Sequence, residues 1–349
     1  MSDLSDSARQ ALGEHLFGYL CGRATDMPSE ATDPNESALA RYRLVPRILT
    51  GHSTVDIRCT LFGRAYAAPF GVGAFAADRL FGSDGVAAIA RVCARLHLPL
   101  IVSEEAVTPL PTVKATGVDY WLQIRAAGPL DRAITLSQRA LAAGARGVVL
   151  TVLAAAHPVP GLYPGGVDVA AEVAARGWST IGAENGVAHL PAFPGWNIDA
   201  LETLAAAIHA DGGALIVKGV LHADDAASVV AAGADGVMVS NIGVRQSYRW
   251  APSISCLSSV AAALKRTPPT AVLFDGGVRH AADVLVASAL GANMSILVRP
   301  VVYALATDGE QAVETLLTRR MGEVTALSAW MGVATLSELR PDHLIHVSA

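Results

Sequence analysis

The sequence predicts an α/β fold, a TIM (β/α)8 barrel, and three observations carry that reading. The chain has 349 residues, 52% of them of hydrophobic types, which suits one large barrel with extensions. Eight short, almost wholly apolar runs stand at 68–73, 99–103, 119–124, 147–152, 214–218, 235–240, 271–275 and 294–298. Runs of this kind belong to a parallel sheet covered on both faces. Amphipathic segments at 83–96, 131–143, 198–210, 223–232, 253–265 and 280–290 lie between most of them, which is the alternation a closed barrel requires. The stretches 224–238 and 281–294 echo each other as repeated βα units.

Before the first run the pattern differs. Residues 8–22 carry Ala11, Leu12, Leu16, Phe17, Tyr19 and Leu20 at helical spacing, with Ser7 as the expected cap. A polar loop follows at 26–35, then a short helix at 38–44. Residues 54–62 alternate like a half-exposed strand, with a hairpin turn expected at Gly63-Arg64. Residues 1–65 are therefore expected to form a cap, and 66–349 the barrel with its C-terminal helices at 302–306, 309–320 and 324–331. One connection is long. Residues 153–197, after the fourth run, are rich in Pro and Gly, the composition of a lid loop.

Composition narrows the function. Net charge is −5, charged residues make up 16%, and no Lys/Arg run stands out, so no nucleic-acid footprint is expected. The polar, acidic start lacks the basic region of a signal peptide, and no apolar run approaches the ~20 residues of a spanning helix. A cytoplasmic protein without membrane attachment is expected. Cys21, Cys59, Cys93 and Cys256 are too scattered for a metal site or a disulfide framework. The Ala-rich, weakly charged helices allow a homo-oligomer.

The chemistry gathers at the C-terminal ends of the runs, where barrels build their sites. Phe274-Asp-Gly-Gly-Val-Arg-His280 follows the seventh run and Val298-Arg-Pro300 the eighth. Glycines that admit backbone amides, a helix N-terminus, and the forked guanidiniums of Arg279 and Arg299 make a phosphate site. A Gly turn with two surface arginines is the bland alternative. Lys218 ends the fifth run, where it is either solvated or opposite an anion such as a reduced flavin ring. Gln123, Thr151 and Ser240 end the third, fourth and sixth runs. Each alone means little, but several polar strand ends facing one mouth form a pocket. Gly71-Val-Gly-Ala-Phe-Ala76 superficially matches a dinucleotide fingerprint. Asp78-Arg79-Leu80 intrudes before the helix, and no acidic residue ends a second strand about 20 residues on, so that reading is rejected.

The motifs Lys218-Gly219, Ser240-Asn-Ile-Gly-Val-Arg-Gln246 and Asp275-Gly-Gly-Val-Arg279, in this order, are specific. With Val45-Pro-Arg-Ile-Leu49 and Arg299-Pro300, they make nearly the whole chain resemble the FMN-dependent α-hydroxy acid oxidases and dehydrogenases. Glycolate oxidase, lactate oxidase, mandelate dehydrogenase and 4-hydroxymandelate oxidase belong to that family. The resemblance implies FMN as cofactor. Gly73, Ala74 and Ala76 would lie beneath the ring, and Ser103, Gln123, Thr151, Lys218 and Ser240 would line it. Asp275 would hold the ribityl chain, and Gly277, Arg279, Val298 and Arg299 the phosphate. It also implies a catalytic set in which Arg245 and Tyr19 hold the substrate carboxylate.

The substrate side departs from the family. Ile242 stands where the family places its histidine base. Leu153 replaces the acidic residue that orients that base, and Arg125 replaces a tyrosine. A second carboxylate-binding arginine, expected near Pro160, is missing. The expectation is an FMN-dependent oxidoreductase with altered chemistry, acting on a small anionic substrate selected by Arg245 and Arg125. That substrate is a 2-hydroxy acid, or an amine whose own lone pair assists hydride loss. Dioxygen or another acceptor takes the electrons. His157 and Tyr248 are candidate substitute bases. The alternative is an FMN-binding accessory protein without redox turnover. Residual 2-hydroxy acid oxidation at a low rate is a third reading.

Overall fold

Apolar runs three to seven residues long are too short to stand as helices and too apolar to face water on either side. In the computed structural model they form one closed parallel barrel of eight strands: β4 (Phe70–Val72), β5 (Leu100–Ser103), β6 (Tyr120–Arg125), β7 (Gly147–Thr151), β8 (Ala214–Val220), β9 (Gly236–Val239), β10 (Ala271–Phe274) and β11 (Met294–Leu297). They pair in sequence order, and β11 closes on β4 through Ser295–Phe70, Ile296–Gly71 and Leu297–Val72. The structure describes residues 2–22, 24, 26–28, 31–155, 163, 166–183, 186, 195–265 and 270–347.

Helices α3 (Val86–Leu96), α4 (Leu110–Ala115), α5 (Leu130–Ala142), α6 (Val169–Ala175), α7 (Ile198–Ala210), α8 (Ala223–Ala231), α9 (Ser253–Leu264) and α10 (Ala281–Ala289) lie between the strands. Of these, α4 and α6 were not read from the sequence, since six and seven residues hold too little periodicity to register. The intruding Asp78 begins a 3-10 turn, Asp78–Leu80. Its buried carboxylate accepts from the backbone N–H groups of Val86 and Val107, so it is a structural tie between the first two βα units.

Inward side chains fill the barrel. Ile101, Trp121, Ile216, Met238, Leu273, Met294 and Ile296 pack into one buried layer, each contributing roughly 1.5–3 kcal/mol by leaving water. Their floor is a hairpin, β2 (Cys59–Leu61) with β3 (Arg64–Tyr66), whose Leu61 and Tyr66 join the same layer. The strand expected over 54–62 is thus only its last part, and Arg64 already belongs to the return strand. The turn falls on Phe62 and Gly63, with φ of 48° and 74°, the left-handed pair that a two-residue hairpin demands.

The N-terminal helix α1 runs from Ser2 to Cys21, interrupted at Gly13. It starts before Ser7, which therefore does not cap it. The Ser7 hydroxyl instead donates to the Asp3 carbonyl, one turn back. This helix packs on α11 (Arg299–Trp330), which merges the three expected C-terminal helices and breaks only at Asp308–Gly309. The short helix α2 (Pro34–Leu39) caps on Asp33. Strand β1 (Tyr42–Leu44) pairs antiparallel with β12 (Leu344–His346), tying the two ends of the chain together.

Candidate active site

Strand ends set the site. Gln123 lies near the end of β6 and Thr151 ends the adjacent β7, and the Gln123 amide donates to the Thr151 hydroxyl at 2.8 Å. Lys218, on β8, donates to the Ser240 hydroxyl at 3.0 Å and pairs closely with the Asp275 carboxylate. Ser103 ends β5 with its side chain buried. Seven of the eight strands or their following loops therefore place an anticipated polar or charged residue at one mouth. The eighth, β4, runs into Gly73. A Cβ there would lie 2.5 Å from Ile296 and 2.6 Å from Val298, so only glycine lets this backbone cross the barrel end.

Two features fit the residues to FMN. Asp275 offers one carboxylate oxygen to Lys218, while its Oδ1 is buried and lacks a partner among the described residues. An unpaired buried acceptor costs about 1–3 kcal/mol, and the ribityl hydroxyls of FMN are donors of the kind it lacks. The second feature is the pair Arg279 and Arg299. Burial pulls the Arg279 guanidinium down, and the charge of Arg299 beside it pulls further. The guanidinium forks of such a pair match phosphate. Gly276 and Gly277 adopt φ of 109° and 81°, which opens the turn between Asp275 and these arginines.

Segment 33–36 lies over this phosphate site and was not read in the sequence as part of it. Asp33 reaches Arg299 at 2.6 Å and Arg279 at 3.9 Å, and Glu36 reaches Arg279 at 2.9 Å. Burial lowers Arg299, yet the Asp33 carboxylate holds it above its ordinary value. Fully buried Asn35 exchanges two amide hydrogen bonds, each 2.9 Å, with Asn241 and accepts from the Ser253 N–H. A Cβ on Gly277 would meet Asn35 at 2.8 Å. The polar, Pro-containing stretch gave no hint of this, because Asn35 and Asn241 stand 206 positions apart.

The loop after β9 turns sharply. Ile242, Gly243 and Val244 all take left-handed φ, at 55°, 67° and 52°. For two β-branched residues this is strained, at roughly 1–3 kcal/mol each. The surroundings hold the shape: Ser240 accepts from the Ile242 N–H at 3.1 Å, and Arg299 donates to the Gly243 carbonyl at 3.0 Å. The turn brings Arg245 onto Tyr19. Its guanidinium carbon lies 4.5 Å from the ring centroid, and Nη2 donates to the Tyr19 carbonyl at 3.0 Å. Burial pushes the Tyr19 phenol up, so it stays a hydrogen-bond donor, and burial lowers the Arg245 guanidinium.

Arg125 points into a pair of carboxylates. Its Nη2 lies 3.1 Å from Glu105 and its Nε 3.6 Å from Glu104. Glu104 is almost wholly buried, accepts the Arg125 N–H, and pairs with Arg132 from α5. Glu105 is more exposed, and its charge acts on both Tyr19 and Arg245. Neither acid was singled out in the sequence, where adjacent glutamates look like a solvated loop. Tyr248 is tied by its backbone N–H to Asp26. His157 and Pro160 lie outside the described residues. In the described part of the long insertion, Ile181 and Gly182 bond to the backbone of Ala106 and Glu104, beside this acidic pair.

A barrel whose mouth carries an arginine pair, a lysine, and polar groups at successive strand ends fits a flavin-binding oxidoreductase. Comparison with known proteins makes this specific. The family described as FMN-dependent dehydrogenase matches residues 8–161 and 165–346, and the chain belongs to it. It is 30% identical to the 4-hydroxymandelate oxidase of Amycolatopsis orientalis, over 97% of this chain and 96% of that one. It is 27% identical to the L-lactate oxidase of Lysinibacillus sphaericus, over 99% and 92%. Among solved structures, a mandelate oxidase variant with the monooxide FMN adduct superposes with a TM-score of 0.82 at 30% identity, covering 99% of this chain and 100% of that one. The protein is an FMN-dependent oxidoreductase of the α-hydroxy acid oxidase type. Among the described residues, no helix is long and apolar enough to cross a membrane.

Proposed function

We propose that the enzyme oxidises a small carboxylate-bearing substrate, a 2-hydroxy acid or an amino acid, with a proton step unlike that of its relatives. The observation that carries this reading is the Arg245–Tyr19 pair. A buried guanidinium stacked on a phenol and held by a backbone carbonyl is a prepared carboxylate site, which an accessory protein without turnover has no use for. FMN, when bound, supplies the hydride acceptor. The expected ring-lining and phosphate-binding residues hold it, from Gly73, Ala74 and Ala76 through Ser103, Gln123, Thr151 and Ser240 to Gly277, Arg279, Val298 and Arg299. Lys218 would face the ring, where its charge would favour electron uptake, and Asp275 would orient Lys218 while its free oxygen accepted from a ribityl hydroxyl.

Arg245 and Tyr19 fix the substrate carboxylate and so orient its α-carbon. Ile242 cannot take a proton. A positioned base is worth roughly 10²–10⁴-fold in rate, so ordinary 2-hydroxy acid oxidation is slow here. Dioxygen or another acceptor completes the cycle. We assign residues 1–65 to covering and flooring the barrel 66–349 within one domain, and the enzyme to the cytoplasm as a homo-oligomer. Supporting association, Ile48 and Leu49 are 82% and 98% exposed, and Trp330 is 71% exposed beside the Arg47–Met331 backbone bond. The test is the visible spectrum of purified protein, repeated anaerobically with 2-hydroxy acids and amino acids. A bound flavin that one class bleaches supports the reading. A flavin that neither class bleaches counts against it.

A further inference from the structure

Asn35 is fully buried in the segment that lies over the phosphate site. A carboxamide in such a place is costly unless its donor and its acceptor are both used, and here they are. The Asn35 Nδ2 donates to the Asn241 Oδ1, and the Asn241 Nδ2 donates back to the Asn35 Oδ1, both at 2.9 Å. The Asn35 Oδ1 also accepts from the Ser253 N–H at 3.0 Å. Backbone groups dictate which way the two amides face. The Asn241 Oδ1 accepts from the Gly243 N–H at 3.2 Å, and its Nδ2 donates to the Ala251 carbonyl at 3.0 Å. A backbone N–H only donates and a carbonyl only accepts, so neither amide can turn over without setting like groups against each other.

Asn241 begins the turn that delivers Arg245. Inside that turn Ile242 and Val244 hold left-handed φ of 55° and 52°. A strained turn keeps its shape where its surroundings over-determine it. Ser240 holds the Ile242 N–H, Arg299 holds the Gly243 carbonyl, and Asn35 holds Asn241 from 206 positions away. Arg245, at the end of the turn, is closely fitted. Its guanidinium lies over the Tyr19 ring, and a Cβ on Gly22 would sit 2.5 Å from its Nη1. We infer that Asn35 is a positioning residue for substrate binding: through Asn241 it holds the turn in the shape that aims Arg245 at the substrate carboxylate. This rests on the reading above that Arg245 takes a carboxylate.

The phosphate turn marks off what the Asn35 amide does not do. Gly277 packs against the Asn35 backbone and Cβ, since a Cβ on the glycine would lie 2.8 Å from the Asn35 carbonyl carbon and Cβ. Alanine at position 35 keeps both atoms. Asp33 and Glu36 meet Arg299 and Arg279, and their carboxylates do not depend on the Asn35 amide. Truncating that amide should therefore leave phosphate binding in place and act on the carboxylate alone.

The test measures two affinities of the full chain. FMN is titrated into the apoprotein by quenching of flavin fluorescence, and propionate into the FMN-loaded protein by perturbation of flavin absorbance. Propionate has no hydroxyl to oxidise, so the proton step does not enter. Asn35→Ala should weaken propionate binding at least about tenfold and change FMN binding less than about threefold, because a binding group displaced by even about 1 Å loses much of its hold. Asn241→Ala should do the same, and the double variant should lose no more than either single one, since the two substitutions remove one contact. Should Asn35→Ala not fold, Asn35→Asp must show the same split in smaller degree, because it keeps its shape and two of the three side-chain bonds. A lower urea midpoint with both affinities unchanged overturns the inference, as does an equal loss of both affinities. Losses that add in the double variant overturn it too, since Asn35 would then not act through Asn241. If the unaltered protein holding FMN binds no propionate, the carboxylate reading of Arg245 fails, and the inference with it.

Discussion

The two halves of the barrel mouth have been treated differently. On the cofactor half, Lys218, Asp275, Gly277, Arg279 and Arg299 keep the residue types that the family resemblance assigns to FMN, and the structure brings them together with strong ion pairs. On the substrate half, Arg245 and Tyr19 persist while Ile242, Leu153 and Arg125 depart. The backbone of the substrate half is held under strain. Ile242 and Val244 take left-handed φ that suits neither residue, with Gly243 held by Arg299 and Asn241 by Asn35. The catalytic loop is bolted to the cofactor side. A frame held this way leaves the side chains above it free to differ between members of one fold.

Predictions can break that contrast. The largest effect should come from Asp275→Ala, which strands Lys218 as a buried, unpaired charge. Removing one partner of such a pair costs about 3–5 kcal/mol, to be read in urea denaturation, with loss of FMN in the same preparation. Ile242→His comes next. It restores a proton acceptor on an unchanged backbone, and anaerobic stopped-flow should show L-lactate or (S)-mandelate reducing the flavin about 10²-fold faster. The gain sits at the low end because Leu153 cannot orient the imidazole. No gain would mean the substrate half has been rebuilt beyond one residue.

Asp33→Asn should act on the cofactor half alone. It removes a carboxylate that competes with phosphate for Arg299, so FMN should bind about tenfold tighter in a fluorescence-quenching titration. Weaker binding would instead make Asp33 the residue that aims Arg299. The smallest effect is Ile242→Asn. Asparagine tolerates left-handed φ, so the protein should gain about 1 kcal/mol in urea. A loss would show that Ile242 packs well enough to outweigh its strain.

How much of this was legible follows from the range of the interactions. The eight strands could be read because a strand buried on both faces writes its whole length in apolar residues. Lys218, Ser240 and Arg279 could be read because polar residues at the ends of such runs are conspicuous. Glu104 could not, since a charged pair in a loop looks the same whether it faces solvent or the interior. Asn35 could not, since its meaning lies in Asn241 across the fold. The hairpin was misplaced because Leu61 and Tyr66 plug the barrel, a tertiary fact that leaves no periodicity. Ser7 looked like a cap because the same hydroxyl can serve a helix end or bond back within a turn.

The pairing of the chain's two ends has a consequence for how the protein is made. Helix α1 rests on α11, Arg47 bonds to Met331, and β1 pairs with β12. A ribosome releases α1 long before any of these partners exist. At ordinary synthesis rates the wait between the end of α1 and the start of α11 is roughly 15–60 s. During that time Phe17 and Leu20, buried in the finished protein, have nothing to cover them. Helix α1, synthesised well before α11, is therefore among the last elements to dock, and the yield in a cell should depend on what shelters that helix in the meantime.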